Sequence, residues 1–349
     1  MVKIIVAIIT FLLVIMIHEL GHFLVAKLSG VKVNEFSIGM GPVIKKKKTS
    51  ETQYTLRALP IGGYVSLEGE DEDSEDSRSF QNAPAYKRLL VILAGAFMNF
   101  IFALLIFIVM MSFSTTEIGI SSVSKDSPAY TSGLEAGDII KSINGTEIST
   151  DTQVQDIISK SNGTEMTITV DRDNEEKTLQ IKPEKTLIKE TGEEKYLLGV
   201  TMGQTLNGDL SIKDFSLSRG MTLGFKFFEN VTKQTFQVFG MLFSGKLGLS
   251  NLSGPIGVVN EIGKATTMGF SSVLFMLAFI NINIGIFNLI PFPALDGGRA
   301  VFILIEMITG KAVPKEIEAK IHFVGIILLL LLIVVISFKD ITTLNFFGG

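Results

Sequence analysis

The chain has 349 residues, of which 47% are apolar and 19% carry a charge. It is too apolar for an ordinary soluble protein and too charged for a chain that lies wholly in a membrane. The net charge of −4 gives no reason to expect a nucleic-acid partner, and the absence of cysteine excludes disulfides, thiol catalysis and cysteine-based zinc sites. These bounds predict a membrane protein with one or two soluble parts.

Residues 1–27 are predicted to form a retained transmembrane helix, because the apolar run can span a bilayer and no signal-peptide cleavage site follows it. The run contains the sequence H-E-L-G-H. His18 and His22 are four residues apart and share one face of a helix, which is half of a tetrahedral zinc site. Glu19 can reach water at the metal and suits a general base. A chance pair of histidines is the alternative, but ionisable groups inside a span are usually functional.

Residues 28–87 are polar, and Val31–Ile38 and Tyr54–Leu67 are rich in β-branched and aromatic residues between glycines and prolines. This pattern predicts a small β-hairpin or sheet against the membrane face. Lys45 to Lys48 forms either a solvated turn or a signal that retains the loop in the cytoplasm. The acidic run from Glu68 to Asp76 is interpreted as a flexible, solvated loop.

A second transmembrane helix is predicted within residues 88–114. Gly95 and Asn99 interrupt its leucine, isoleucine and phenylalanine residues. Small residues let helices approach closely, and asparagine can donate a hydrogen bond between helices. Packing against the first helix is therefore the favoured interpretation, and a direct role at the active site is the alternative.

Residues 117–186 are predicted to be a soluble α+β domain. Ser127-Pro128-Ala129 is followed by G-L-E-A-G-D from Gly133 to Asp138, and two alternating strands are predicted at Met166–Val170 and Lys177–Ile181. The pattern resembles a bacterial PDZ domain. The resemblance implies that a peptide ligand adds a strand to a sheet edge, with the strand around Gly119-Ile120 bordering the groove.

Residues 187–269 are predicted to contain a linker and an amphipathic helix. Aromatic residues recur at helical spacing from Asp214 to about Phe243, with polar residues on the other faces. Such a helix is expected to lie on the membrane or to cover the catalytic part. The sequence Ser253-Gly254-Pro255-Ile256-Gly257 is expected to be a tight turn that ends this region.

Residues 270–310 are predicted to hold the third transmembrane helix, which breaks at N-L-I-P-F-P-A-L-D-G-G from Asn288 to Gly298. Two prolines end the helix, and irregular backbone at membrane depth occurs where it is buried in protein or lines a cavity. Asp296 is then either a helix cap or a metal ligand. A zinc site that lacks its third ligand favours the ligand. A fourth transmembrane helix is predicted within residues 311–349.

The distribution of lysine predicts the topology. Lysine-rich segments follow the first span and precede the fourth, so both should be cytoplasmic and the PDZ-like domain extracytoplasmic. His18 and His22 lie late in the first span, and Asp296 follows the third span, which runs in the same direction. The two clusters should therefore lie at a similar depth, towards the cytoplasmic side.

Taken together, the motifs H-E-L-G-H, G-x-x-x-N, S-G-P-I-G and N-x-x-P-x-P-x-L-D-G, with a PDZ domain, resemble the site-2 protease family of intramembrane zinc metalloproteases. The resemblance is to the bacterial branch that acts in regulated intramembrane proteolysis, and it covers nearly the whole chain. Many members of that branch carry two tandem PDZ domains, whereas one is found here. Substrate gating by a pair of domains is therefore not carried over.

This resemblance implies a fold, a cofactor and a set of partners. The fold is a polytopic α-helical membrane protein with about four transmembrane helices, a membrane-associated β-hairpin or sheet and one extracytoplasmic PDZ-like domain. The implied location is the bacterial inner (plasma) membrane, in contact with lipid. Implied substrates are transmembrane segments of membrane proteins such as anti-sigma factors or signal-peptide remnants. In the implied site, Zn²⁺ is held by His18, His22 and Asp296, and Glu19 is the base. The implied substrate path is lined by Asn288, Pro291 and Pro293.

Three alternatives stay open. In a thermolysin-like metalloprotease a glutamate on the next helix would be the third ligand, but strands are predicted after His22. A non-catalytic membrane adaptor could use the PDZ-like domain to bind chain ends, although it would have no need of Glu19. A metal transporter is disfavoured because one metal cluster and no inverted repeat are evident.

Overall fold

The computed structural model describes residues 2–70, 72–113, 116–148, 151–172, 175–187, 194–206, 215–248 and 253–343. The chain divides into two compact units. The first, here called the helical unit, comprises Met1–Ser112 and Ser216–Gly349, and the second, here called the α+β unit, comprises Phe113–Phe215.

In chain order the elements are α1 (Val2–Ser29), β1 (Val33–Lys48), β2 (Gln53–Leu67), α2 (Ala85–Phe113), β3 (Thr116–Val123), α3 (Pro128–Thr131), β4 (Ile139–Ile143), β5 (Thr146–Glu147), α4 (Asp151–Lys160), β6 (Met166–Arg172), β7 (Glu175–Ile181), β8 (Glu184–Leu187), β9 (Glu194–Leu197), β10 (Val200–Leu206), α5 (Leu217–Phe243), α6 (Pro255–Met268), α7 (Phe270–Leu289), α8 (Asp296–Thr309) and α9 (Lys315–Thr343). Among the described residues, α1, α2, α7 and α9 are long and apolar enough to cross a membrane. This finding agrees with the prediction of about four spans.

The core of the helical unit lies where α1, α2, α5, α6 and α7 meet. Phe107 of α2 is fully buried there, together with Ile262 of α6 and Ile282 of α7. The helix predicted from Asp214 is α5, which begins at Leu217, and residue 214 lies outside the described part of the chain. Its Val231 and Phe239 are buried in this core, whereas Phe225 and Phe236 are exposed. This core therefore buries only part of the predicted apolar face of α5, and the helix as an amphipathic cover stays a prediction.

The two long strands β1 and β2 bend and pair in two registers. Glu35–Ile38 of β1 pairs with Gln53–Leu56 on one side and with Gly63–Ser66 on the other. Within the described residues, the strand segment Gly63–Leu67 pairs with β1 alone and is an edge of this sheet. Lys45–Lys48 is not a turn, as one interpretation had it, because it pairs with Gln53–Leu56 as the last part of β1.

The α+β unit contains an antiparallel sheet in the order β10-β3-β4-β6-β7, with β5 beside β4. Its core is formed by isoleucines of the sheet such as Ile118, Ile140 and Ile168, with Val154 and Ile158 of α4. Ser127 caps α3, since its Oγ accepts a hydrogen bond from the N–H of Tyr130 and Pro128 starts the helix. The S-P-A motif is thus a helix start.

Two sequence-based expectations about this unit need correction. The predicted boundaries of residues 117–186 omit β10, which pairs with β3 along its whole length. Because β3 also pairs with β4 at Ile118 and Gly119, the strand around Gly119-Ile120 is not an open edge. The outer strands of this sheet, within the described residues, are β10 and β7.

The sequence Ser253–Gly257 is not an isolated turn, because Pro255 begins α6 and Gly254 is its N-cap. Asp340 of α9 replaces the missing side-chain cap. Its Oδ2 accepts hydrogen bonds from the N–H groups of Gly254 and Gly257, at 2.9 and 2.8 Å. A Cβ on Gly254 would lie 2.9 Å from the same oxygen, so glycine allows this close approach.

Candidate metal centre

Two histidines of α1 and an aspartate of α8 meet inside the helical unit. The Nε2 atoms of His18 and His22 are 3.2 Å apart, because residues four apart on a helix lie on the same face. Asp296 is the first residue of α8, and its Oδ2 lies 3.0 Å from His18 Nε2 and 3.4 Å from His22 Nε2. The structure therefore brings together the three residues that the sequence singled out, although Asp296 is almost 280 residues away along the chain.

The three facing atoms fit a zinc ion. Tetrahedral ligands about 2.0–2.2 Å from zinc lie roughly 3.3 Å from one another, which matches the three observed separations. Asp296 Oδ2 is buried and has no hydrogen-bond partner among the described residues. Two imidazole nitrogens and one carboxylate oxygen are a ligand set that zinc commonly takes in catalytic sites.

Hydrogen bonds behind the imidazoles orient them. His22 Nδ1 lies 2.8 Å from the carbonyl oxygen of Val91 in α2, so Nδ1 carries the proton and the Nε2 lone pair faces the cluster. His18 Nδ1 lies 3.3 Å from the side-chain amide of the fully buried Asn99. Turning that amide by 180° would let its oxygen, which has no hydrogen-bond partner among the described residues, accept a hydrogen bond from Nδ1–H. Asn99, interpreted above as a packing residue, thus contacts the site directly.

Gly95 of α2 leaves space beside the imidazoles. A Cβ at this position would overlap His22 Nε2 and would lie 2.7 Å from His18 Nε2. Any side chain here would therefore occupy the space in which the ligand atoms converge. The G-x-x-x-N spacing was the available sequence signal, since residues four apart on α2 face α1 together.

The segment before Asp296 is a compact loop. After α7 ends at Leu289, the chain turns back within seven residues, and Ala294 has a φ of +82°. Gly297 and Gly298 pack so closely on the carbonyl oxygens of Ile290 and Phe292 that no side chain would fit. The irregular backbone predicted after the two prolines is present, and it presents Asp296 to α1.

Glu19 lies between the cluster and the edge strand of the β1–β2 sheet. A Cβ added to Gly63 would lie 3.8 Å from Glu19 Cγ, and the Glu19 carboxylate accepts a hydrogen bond from the backbone N–H of Val65. A cavity of about 190 Å³ joins these groups. Its lining includes His18, Glu19, His22, Tyr64, Val65 and Asp296.

The other sequence-predicted site residues do not line this cavity. Asn288 donates its side-chain N–H to the carbonyl oxygen of Ile284, one turn earlier in its own helix, at 3.0 Å. Pro291 and Pro293 belong to the loop that carries Asp296, and neither is among the lining residues. Their place on a substrate path stays a prediction.

Sequence reasoning missed the ion pair between Arg299 and Glu70, both of which line the cavity. Arg299 follows Asp296 by three residues on α8 and thus faces the same side, which was a usable signal. Glu70 belongs to the acidic run that was interpreted as a solvated loop. Two further members of that run, Glu68 and Asp76, each form an ion pair with Lys32.

Comparison with known proteins gives a consistent result. A family model described as "Peptidase family M50" matches residues 6–332. The chain is 36% identical over 340 residues to a Clostridium perfringens protein named "Putative zinc metalloprotease CPE1693", covering 97% of this chain and 98% of that protein. It is 28% identical over 429 residues to "Zinc metalloprotease RasP" of Geobacillus kaustophilus, covering 98% and 99%.

Among solved structures, the PDZ domain of an SdrC-like protein from Listeria monocytogenes matches 24% of this chain and 85% of that domain, at 24% identity and a TM-score of 0.22.

Proposed function

This chain belongs to peptidase family M50, and we propose that it is an intramembrane zinc metalloprotease that hydrolyses peptide bonds within transmembrane segments of other membrane proteins. The observation that carries this proposal is the convergence of His18, His22 and Asp296 beside Glu19, between helices apolar enough to span a membrane. A carboxylate and two imidazoles are costly in such surroundings unless they serve a function.

In this proposal His18, His22 and Asp296 hold Zn²⁺ through Nε2, Nε2 and Oδ2. When bound, zinc supplies Lewis-acid polarisation of the scissile carbonyl and of water. The carbonyl of Val91 keeps His22 in the tautomer that leaves Nε2 unprotonated, and the Asn99 amide does the same for His18 when its oxygen is turned towards Nδ1. Gly95 keeps the space between the imidazoles open.

Glu19 is assigned as the general base. Neighbouring residues on a helix point in different directions, so Glu19 reaches the cavity without joining the ligand set. Its carboxylate takes a proton from the attacking water and returns it to the amine nitrogen of the leaving peptide fragment. The N–H of Val65 holds this carboxylate towards the edge strand, where the scissile peptide would lie.

Substrate binding is assigned to the edge segment Gly63–Leu67. The carbonyl groups of a helical substrate are hydrogen-bonded within the helix, so the segment must unwind before attack. An unwound segment in an apolar medium needs partners for its backbone groups, and an edge strand offers them. Asn288 could contribute only after leaving the carbonyl of Ile284. Pro291 and Pro293 would act through the shape of their loop.

The proposal places the protein as a multi-pass protein in a bacterial inner (plasma) membrane, with lysine-rich segments such as Lys45–Lys48 on the cytoplasmic side. The α+β unit would then be extracytoplasmic and would bind a peptide as a PDZ-like domain, at an outer strand rather than at β3. Anti-sigma factors and signal-peptide remnants are the proposed kinds of substrate.

The test is Glu19→Gln in the purified full chain, reconstituted in lipid vesicles with a model transmembrane peptide. We expect zinc content to equal that of the wild type and cleavage to fall by at least about 100-fold, the lower range of general-base catalysis. Glu229→Gln, the same change at an exposed position of α5, is the control and should cleave normally. Loss of zinc on changing Glu19 would make it a ligand, and undiminished cleavage would refute the mechanism. A non-catalytic adaptor would cleave in neither form.

A further inference from the structure

The third histidine of the chain contacts the loop that carries Asp296. His322 lies in the first part of α9, and its Nδ1 accepts a hydrogen bond from the backbone N–H of Ala294 at 2.8 Å. The imidazole is 15% exposed and packs edge-on against the ring of Phe302 in α8, with ring centroids 5.6 Å apart. Three segments of the helical unit, α8, α9 and the loop between α7 and α8, therefore meet at this side chain.

The residue that His322 holds has an unusual backbone conformation. Ala294 has a φ of +82°, in the left-handed region that residues other than glycine rarely adopt. Such a conformation persists when surrounding contacts hold it in place. Ala294 stands two positions before Asp296, so its backbone direction sets where the carboxylate is presented.

Gly325, three residues after His322, lies on the same face of α9 and touches the preceding loop residue. A Cβ at Gly325 would lie 2.5 Å from both the Cβ and the carbonyl oxygen of Pro293. The backbone of α9 thus rests directly on Pro293, while the side chain one turn earlier holds Ala294. Two positions of one helix face engage two consecutive residues of the loop.

This face differs from the exposed positions beside it on the same helix. Val324, between the two contacts in sequence, is 55% exposed, and Leu328 and Leu331 are 52% and 58% exposed. A largely buried imidazole is costly unless its polar atoms are used. Nδ1 of His322 is used, because it accepts the hydrogen bond from Ala294 in the loop that carries Asp296.

We propose that His322 and Gly325 are positioning residues that hold the Pro293–Ala294 turn and thereby present the Asp296 carboxylate to His18 and His22. The inference rests on the proposed function, since it assumes that these three side chains bind zinc. Residues behind the ligands typically change metal affinity by about 10–100-fold when they are replaced. An effect of this size is expected from breaking the contact with Ala294.

The hydrogen bond from Ala294 suggests three variants of His322. Asparagine places its side-chain oxygen where Nδ1 stands, so His322→Asn can still accept the Ala294 N–H. Glutamine places its oxygen nearer the position of Nε2, and leucine has no acceptor. Val324→Ala, a change at an exposed neighbour on the same helix, is the matched control.

The experiment measures zinc affinity of the purified full chain by competition with a chromogenic chelator, together with thermal unfolding of the metal-free protein. We expect His322→Leu and His322→Gln to weaken zinc binding by about 10–100-fold. His322→Asn and Val324→Ala should stay within about threefold of the wild type. If His322→Leu does not fold, the comparison of glutamine with asparagine carries the same information.

Gly325→Ala provides an independent test through the neighbouring contact. The added methyl group must push Pro293 away, so zinc affinity should fall, and combining it with His322→Leu should cost less than the sum of the two changes. Equal affinity in His322→Leu and Val324→Ala, or equal loss in all three His322 variants, would overturn the inference while zinc binding by the wild type keeps the proposed function. A wild-type chain that binds no zinc would overturn both.

Discussion

The helical unit and the α+β unit each bury an aspartate beside a glycine, and the two carboxylates have different partners. Asp138 of the α+β unit is 1% exposed, and both of its oxygens are bonded. Oδ1 accepts from Arg172 Nε at 2.6 Å, and Oδ2 accepts from Arg172 Nη2 at 2.8 Å and from the N–H of Glu135 at 2.9 Å. Asp296 of the helical unit is also largely buried, but its Oδ2 faces two imidazole nitrogens and accepts no hydrogen bond from the part of the chain that the structure describes.

The difference shows that partners, rather than burial, separate a structural carboxylate from a candidate ligand. An arginine fork and a backbone N–H occupy three of the roughly four lone-pair sites of the Asp138 carboxylate, with at least one on each oxygen. The Nε2 atoms that face Asp296 carry lone pairs and no proton once the imidazoles are neutral, so they cannot donate a hydrogen bond to the carboxylate. The cluster of two imidazoles and one carboxylate is stable when a cation lies between the three side chains.

The largest effect is expected from Asp296→Ala, which removes the candidate ligand of this comparison. The variant should lose zinc, because it removes one of three protein ligands, and cleavage should be lost with it. The fall in affinity should exceed the 10–100-fold that residues behind the ligands typically supply. Elemental analysis of the purified, folded variant is the measurement. Full zinc occupancy would show that Asp296 is not a ligand and would end the contrast with Asp138.

A smaller effect, of a different kind, is expected from Asp138→Ala. Removing a buried carboxylate from its arginine typically lowers the free energy of unfolding by about 3–5 kcal/mol. Hydrogen exchange in the full chain should show faster exchange in the α+β unit, whereas zinc content should equal that of the wild type. Asp151→Ala, which changes an aspartate at the start of α4 in the same unit, is the control. Loss of zinc on changing Asp138 would contradict the separation of roles.

Local patterns predicted much of the fold and of the site. Apolar runs indicated the four long helices, the i, i+4 spacing placed His18 and His22 together, and the two prolines indicated the break before Asp296. Each of these signals depends on a stretch of fewer than about 30 residues. The topology argument then placed the two clusters at a similar depth, which agrees with their contact in the structure.

The features that sequence reasoning missed are contacts between distant segments. The pairing of β10 with β3 joins residues some 80 positions apart, and Arg299 meets Glu70 across more than 220. The contact between His322 and Ala294 depends on the direction in which α9 leaves the loop after α8. Residue type and periodicity indicate that such polar groups need partners, but they do not indicate which partners the packing of helices and strands supplies.

The smallest effect on the metal centre is expected from Glu306→Ala, the other carboxylate of α8. Glu306 follows Asp296 by ten residues on one regular helix, which places it roughly 15 Å further along the axis, beyond reach of the imidazoles. It forms an ion pair with Arg88 of α2 instead. Zinc content should therefore stay at the wild-type level.

The stability of the Glu306→Ala protein should nevertheless change. The Arg88 side chain is largely buried, and among the described residues the variant leaves it the carbonyl oxygen of Ala83 as its other hydrogen-bond partner. The free energy of unfolding should therefore fall by roughly 1–3 kcal/mol. Glu306→Gln keeps an acceptor for Arg88 and should lose less, which makes it the matched control. Chemical unfolding measures the free energy of unfolding, and elemental analysis measures the zinc content. A folded Glu306→Ala protein without zinc would place this carboxylate at the metal and would contradict its assignment as the structural partner of Arg88.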